Sequence, residues 1–151
     1  MKIKGMLPTM VTMGNIMCGF FAILCVSSQR LEIAAWLIVA AMALDAFDGR
    51  LARMMKSTSM IGAQLDSMAD LVTFGIAPAM LMIKTCTNFP VVFLWSVGLF
   101  FMICAALRLA RFNVQKDESV NMPRHFFTGL PTTLSGGTIA QLVILNHFVQ
   151  I

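Results

Sequence analysis

Apolar residues dominate five stretches of the chain, and each stretch is long enough to form one membrane-spanning helix. They run over about residues 6–27, 32–53, 62–83, 89–111 and 127–149. A bilayer core is crossed by about 20 residues of helix, so each stretch predicts one span. Pro78 falls inside the third stretch, where a membrane helix tolerates proline with a kink. The pattern therefore predicts an all-α fold, a polytopic transmembrane helical bundle in which five spans are visible.

Composition and charge agree with a membrane protein. The 151 residues are 58% hydrophobic and 12% charged, whereas soluble domains carry about 25% charged residues. Nine of the eleven lysines and arginines fall on one side of the predicted bundle, and only Arg30 and Lys84 fall on the other. Because basic residues favour the cytoplasmic side, we expect an inner (cytoplasmic) membrane protein with a cytoplasmic N-terminus.

The acidic residues are concentrated in one window, DAFDGRLARMMKSTSMIGAQLDSMAD at 45–70, which holds four of the seven in the chain. At about 100° per residue, one face of the second helix carries Asp45, Asp48, Gly49, Ala52 and Arg53. Asp66 and Asp70 are spaced i, i+4 and share a face of the third helix, with Gly62 preceding them. A short turn makes the two helices antiparallel neighbours, so we expect four carboxylates to converge near the cytoplasmic interface.

Four converging carboxylates favour a divalent-cation site. Unpaired carboxylates in a membrane are costly, and like charges repel. A site made only of carboxylate oxygens suits Mg²⁺ or Mn²⁺, and two such ions can clamp a displacement at phosphorus. Gly49, Ala52 and Gly62 would leave room for a ligand, and Arg53 would reach a phosphate. Ion transport, pairing with arginines and simple helix packing are the alternatives.

The full pattern, D-x-x-D-G-x-x-A-R-x8-G-x3-D-x3-D, resembles the signature of the CDP-alcohol phosphatidyltransferase family. In that family a CDP-linked lipid donates its phosphatidyl group to an alcohol and releases CMP. The resemblance implies that two ions of Mg²⁺ or Mn²⁺ are held by Asp45, Asp48, Asp66 and Asp70. It makes Asp70 the general base, and it places Gly49, Ala52, Arg53 and Gly62 around the CDP part of the donor.

Other segments resemble the phosphatidylserine synthase branch of this family. They are LPTMVTMGNIMCGF at 7–20, LDSMADLVTFGIAPA at 65–79, ALRLARFN at 106–113 and FFTGLP at 126–131. The resemblance implies transfer of a phosphatidyl group from CDP-diacylglycerol to L-serine, giving phosphatidylserine and CMP. Glycerol phosphate or inositol phosphate is the alternative acceptor. A divalent-cation transporter is a distant alternative, since a transporter favours a site at the bilayer midplane and an internal repeat.

Family members usually have six or more membrane helices. We therefore expect 1–151 to form a single transmembrane domain that is either truncated at its C-terminus or a short member of the family. The resemblance also implies a homodimer, and no nucleic-acid partner is expected.

Polar residues in two further helices are candidates for substrate contacts. Thr12 and Asn15 are spaced i, i+3 in the first helix and would reach the donor head group, or else bond a neighbouring helix. Arg108 and Arg111 are also spaced i, i+3, with Asn113 nearby. They would hold the serine carboxylate or a lipid phosphate, because guanidinium binds both in a bidentate manner; the alternative is an anchoring role at the lipid head groups.

Overall fold

The computed structural model describes residues 6–55, 60–86, 88–118 and 132–149, with side chains at 10–47, 62, 64–86, 88–114 and 132–146. These residues form five helical segments and contain no strand. The first two are α1 (Met6–Ser27) and α2 (Leu31–Met55). The third is continuous and consists of α3 (Met60–Asp70), a π-helical turn (Leu71–Ile76) and α4 (Ala77–Thr85). The last two are α5 (Val91–Glu118) and α6 (Thr132–Val149).

The five helical segments coincide with the five apolar stretches, so the predicted all-α fold is confirmed. Three segments are, in their described residues, long and apolar enough to cross a membrane: 10–27, 64–85 and 91–114. For the remaining two, a membrane crossing stays a prediction from the sequence pattern. The predicted start of the fifth span, at 127–131, lies outside the described residues.

Small residues fill much of the core between α1, α2, the third segment and α6. Six fully buried alanines belong to this core: Ala22, Ala34, Ala35, Ala41, Ala77 and Ala140. Small side chains let helix backbones approach closely, which is the usual basis of helix association in a membrane. The larger side chains of Ile38, Phe74 and Leu81 fill the spaces between them.

Helix α5 has a more peripheral position, and it packs mainly against α4 and the π-helical turn. Its outer face exposes large apolar side chains, among them Val92, Trp95, Phe100 and Leu107. In water such a surface would be unfavourable, but it is suited to contact with lipid chains. The exposed residues of α5 therefore fit the predicted membrane environment.

The distortion predicted from Pro78 takes the form of the π-helical turn that precedes it. Proline has no N–H, and its ring clashes with the carbonyl group four residues earlier in a regular α-helix. Here the turn widens the helix at Leu71–Ile76, and the N–H of Ala77 bonds the carbonyl oxygen of Val72, five residues back. Pro78 then occupies the first turn of α4. The turn begins directly after Asp70, at one edge of the acidic window.

Candidate active site

Three of the four predicted carboxylates meet in the structure. Asp45 comes from α2, whereas Asp66 and Asp70 lie one turn apart on α3. Each offers a carboxylate oxygen, and these oxygens all lie within 4.8 Å of one another. All three side chains are half-buried. Aspartates from both helices therefore come together, as expected from the sequence.

This arrangement fits a divalent cation. Carboxylates this close repel one another when ionised, so a bound cation would stabilise them. The donor atoms are all oxygens, which are the preferred ligands of Mg²⁺ and Mn²⁺. Each of the three residues keeps part of its surface exposed. The chemistry of the donor set is therefore that of a hard-metal centre.

The remaining residues of the signature are described less fully. Asp48, Gly49, Ala52 and Arg53 belong to α2, but their side chains lie outside the described residues. Their predicted roles stay predictions. Gly62 is half-buried in α3, one turn before Asp66, so its position along the helix agrees with a place beside the acidic cluster.

The first helix contributes Asn15 to this cluster. Asn15 is fully buried, and its Nδ2 donates a hydrogen bond to Oδ1 of Asp70 over 3.3 Å. Thr12 is buried one turn earlier. The sequence left two readings open for this pair, contact with the donor or a hydrogen bond to a neighbouring helix, and the bond from Asn15 to Asp70 is of the second kind.

Two residues beside Asp66 and Asp70 were missed by the sequence analysis. Ser67 donates a hydrogen bond from Oγ to Oδ1 of Asn113 over 3.0 Å, which joins α3 to α5. Thr73 donates from Oγ1 to the backbone carbonyl oxygen of Asn15 over 3.1 Å, which joins the π-helical turn to α1. Both are small hydroxyl residues inside the segment LDSMADLVTFG, and a search for polar residues within apolar helices would have found them.

The two candidate arginines have different surroundings. Arg108 is half-buried, and its Nη1 donates a hydrogen bond to Oγ1 of Thr132 over 2.8 Å, at the start of α6. Arg111 is exposed. Asn113 is half-buried and contacts Ser67, next to the acidic cluster. Of the three predicted acceptor residues, Asn113 thus has the most direct link to the helix that carries Asp66 and Asp70.

Comparison with known proteins identifies the family. The family described as CDP-alcohol phosphatidyltransferase matches residues 5–151, and the chain belongs to this family. Its members act on CDP-alcohol lipid substrates and generally depend on divalent metal ions. Together with the three long apolar helices, membership indicates an integral membrane protein.

Several curated relatives carry the name CDP-diacylglycerol–serine O-phosphatidyltransferase. The chain is 34% identical to the Helicobacter pylori protein over 151 residues, covering 95% of this chain and 60% of that protein. It is 37% identical to the Bacillus subtilis protein over 131 residues, covering 86% and 71%. It is 39% identical to the Saccharomyces cerevisiae protein over 141 residues, covering 83% and 49%. The chain thus spans about half to two thirds of the length of most of these relatives.

Proposed function

We propose that this chain is a membrane enzyme that transfers a phosphatidyl group from CDP-diacylglycerol to L-serine, giving phosphatidylserine and CMP. The convergence of Asp45, Asp66 and Asp70 within 4.8 Å is the observation that carries the proposal. It supports phosphoryl-transfer chemistry at the position of the family signature. The choice of serine is supported by the names of the relatives from Helicobacter pylori, Bacillus subtilis and yeast.

We infer that the metal centre is formed by Asp45, Asp48, Asp66 and Asp70 and takes two ions of Mg²⁺ or Mn²⁺. When bound, the ions would neutralise the carboxylates and stabilise the negative charge that develops on the diphosphate. The all-oxygen donor set supports this choice of metal.

Asp70 acts in this proposal as the catalytic base. Its carboxylate accepts the proton of the serine hydroxyl group while the serine oxygen attacks the lipid-side phosphorus of CDP-diacylglycerol. A new bond forms between that oxygen and phosphorus, and the bond from the same phosphorus to the bridging oxygen breaks. The electron pair of the broken bond leaves with CMP. The half-buried position of Asp70 supports this role, because a base must be reachable by substrate and partly shielded from water.

The other candidate residues are assigned to the two substrates. Gly49, Ala52, Arg53 and Gly62, together with Thr12 and Asn15, would line the CDP part of the donor. Arg108, Arg111 and Asn113 would hold the serine carboxylate or a lipid phosphate. The bond from Ser67 to Asn113 supports an acceptor position close to α3.

We also propose that the site lies on the cytoplasmic side of the inner membrane, which the distribution of lysine and arginine supports. Residues 1–151 would form one transmembrane domain, and the protein would act as a homodimer. The chemistry above depends on none of these three properties.

The acceptor is tested by measuring CMP release from CDP-diacylglycerol in membranes that contain the protein. L-Serine, glycerol phosphate and inositol phosphate are supplied in separate reactions with Mg²⁺ or Mn²⁺. The proposal predicts CMP release that depends on serine. Release that requires a phosphorylated alcohol would assign another acceptor within the family, and absence of release with every alcohol would contradict the transferase function.

A further inference from the structure

A continuous set of contacts connects the backbone of α1 to the carboxylate of Asp70. Thr73 Oγ1 donates a hydrogen bond to the carbonyl oxygen of Asn15 over 3.1 Å. The side chain of Asn15 in turn donates from Nδ2 to Asp70 Oδ1 over 3.3 Å. Asp70 and Thr73 lie three residues apart on the third helical segment. Asn15 is therefore held at its backbone by the same segment whose carboxylate it contacts.

The close approach of the two helices keeps Asn15 in this position. A Cβ atom at Gly19 would come 3.0 Å from the Cα of Thr73 and closer still to its hydroxyl oxygen. Glycine at position 19 therefore lets α1 lie directly against the π-helical turn. Thr73 and Asn15 have no exposed surface, so neither side chain has room to reorient without repacking.

The amide of Asn15 has one unusual feature. Among the described residues, no group donates a hydrogen bond to its Oδ1, which is buried. A buried polar atom without a partner disfavours the folded state, and an apolar residue at this position would avoid that penalty. Stability thus explains poorly why asparagine stands here, and the bond from Nδ2 to Asp70 is its one side-chain hydrogen bond among the described residues.

We propose that Asn15 is a positioning residue that fixes the orientation of the Asp70 carboxylate. The inference rests on the proposed function, in which Asp70 is the base and a cation ligand. Through this bond, Asn15 sets the direction in which the Asp70 carboxylate faces Asp45 and Asp66. Thr73 supports this arrangement through the backbone of Asn15. This role takes the place of the donor contact assigned to Asn15 above, and it corresponds to the hydrogen bond to a neighbouring helix that the sequence left open as the alternative.

The test uses Asn15→Leu, which removes the amide at similar volume, and Thr73→Val, which removes one hydroxyl group at the same shape. Thr85→Val is the matched control. Thr85 lies at the other end of the same helical segment, and its hydroxyl group also donates to a backbone oxygen, that of Leu81 within the same helix, over 2.8 Å. The measurements are kcat, the KM of each substrate, the thermal midpoint Tm, and Mn²⁺ binding by the purified protein without substrate.

For Asn15→Leu we expect kcat to fall roughly 10–100-fold, the usual effect of losing a residue that orients a metal ligand. Mn²⁺ binding should weaken, while the KM of CDP-diacylglycerol and the Tm stay close to those of the wild type. Thr73→Val should lose activity in the same direction but less. Thr85→Val should match the wild type in kcat and in Mn²⁺ binding.

Three results would overturn the inference. They are an unchanged kcat in Asn15→Leu, a raised KM for CDP-diacylglycerol with kcat preserved, and a loss in Thr85→Val equal to that in Thr73→Val. The Mn²⁺ measurement needs no acceptor, so it tests the role of Asn15 even if the wild-type protein proves not to use serine. In that case the assay of the wild-type protein would disprove the proposed function, and the Mn²⁺ measurement would still test the role of Asn15.

Discussion

Gly136 of α6 lies directly against the backbone of Phe74 in the π-helical turn. A Cβ atom at position 136 would come 2.8 Å from the carbonyl oxygen of Phe74 and 3.0 Å from its Cα. In a regular α-helix that carbonyl group would accept a hydrogen bond from the residue at 78, but proline has no N–H to donate. Helix α6 thus packs against the distorted part of the third segment at Phe74, which lies four residues beyond Asp70.

This contact predicts that Gly136→Ala destabilises the fold. The methyl group would meet backbone atoms that cannot move without shifting a helix, and overpacking of this kind costs about 1–3 kcal/mol. Thermal unfolding in detergent measures the effect. The control is Gly14→Ala, because a Cβ atom at Gly14 would lie 4.0 Å from Leu44 Cδ1, at ordinary contact distance.

Gly14→Ala is expected to be neutral or stabilising, since alanine favours a helix over glycine by about 1 kcal/mol. Equal Tm values for the two variants would show that α6 does not approach the π-helical turn as closely as described.

A second prediction concerns the metal centre. Asp66→Ala should abolish turnover and weaken divalent-cation binding, because the Asp66 carboxylate belongs to the cluster with both Asp45 and Asp70. Glu32→Ala is the control, since Glu32 is an exposed carboxylate in the first turn of α2, far along that helix from Asp45. CMP release and Mn²⁺ binding are measured for both variants. Near-normal activity of Asp66→Ala would rule out a metal centre at these carboxylates.

A third prediction distinguishes the role of Asp70 as a base from its role as a metal ligand. Asp70→Asn keeps the size of the side chain, and the introduced amide oxygen can still accept the hydrogen bond from Asn15. It cannot accept the serine proton, so turnover should fall roughly 10²–10⁴-fold, the usual contribution of a general base. Binding of CDP-diacylglycerol should be largely kept. If donor affinity falls as far as turnover does, Asp70 serves chiefly as a cation ligand.

A fourth prediction concerns the acceptor. Arg108→Lys and Arg111→Lys keep the positive charge but lose the bidentate geometry that suits a carboxylate. Both should raise the KM of serine while the affinity for CDP-diacylglycerol is unchanged. The measurement is a serine titration at saturating donor, with Arg30→Lys as the control because Arg30 is exposed in the turn between α1 and α2. Weakened donor binding with an unchanged serine KM would move the arginines to the lipid phosphate.

The fold and the acidic cluster could largely be predicted from the sequence. The lengths of the apolar stretches determine the helices, and the spacing of Asp66 and Asp70 places both on one face of α3. The short connection to α2 then brings Asp45 to the same place. These inferences need only helix geometry and short chain connections, which are local properties.

The contacts between distant helices could not be predicted. Thr73 and Asn15 are 58 positions apart, and Arg108 and Thr132 are 24 apart. Such contacts depend on the rotation and the relative height of packed helices, which small residues such as Gly19 and Gly136 determine through backbone contact. Pro78 indicated a distortion, but the π-helical form of the turn was not predicted.

The most direct test of the proposed reaction is product analysis with the purified protein, CDP-diacylglycerol, a divalent cation and L-serine whose hydroxyl group carries a heavy oxygen isotope. The account predicts phosphatidylserine with the heavy oxygen in the bond between serine and phosphorus, together with unlabelled CMP. Both products should be lost in Asp70→Asn. Formation of phosphatidate and a labelled ester of serine with CMP would place the attack on the other phosphorus and contradict phosphatidyl transfer to serine.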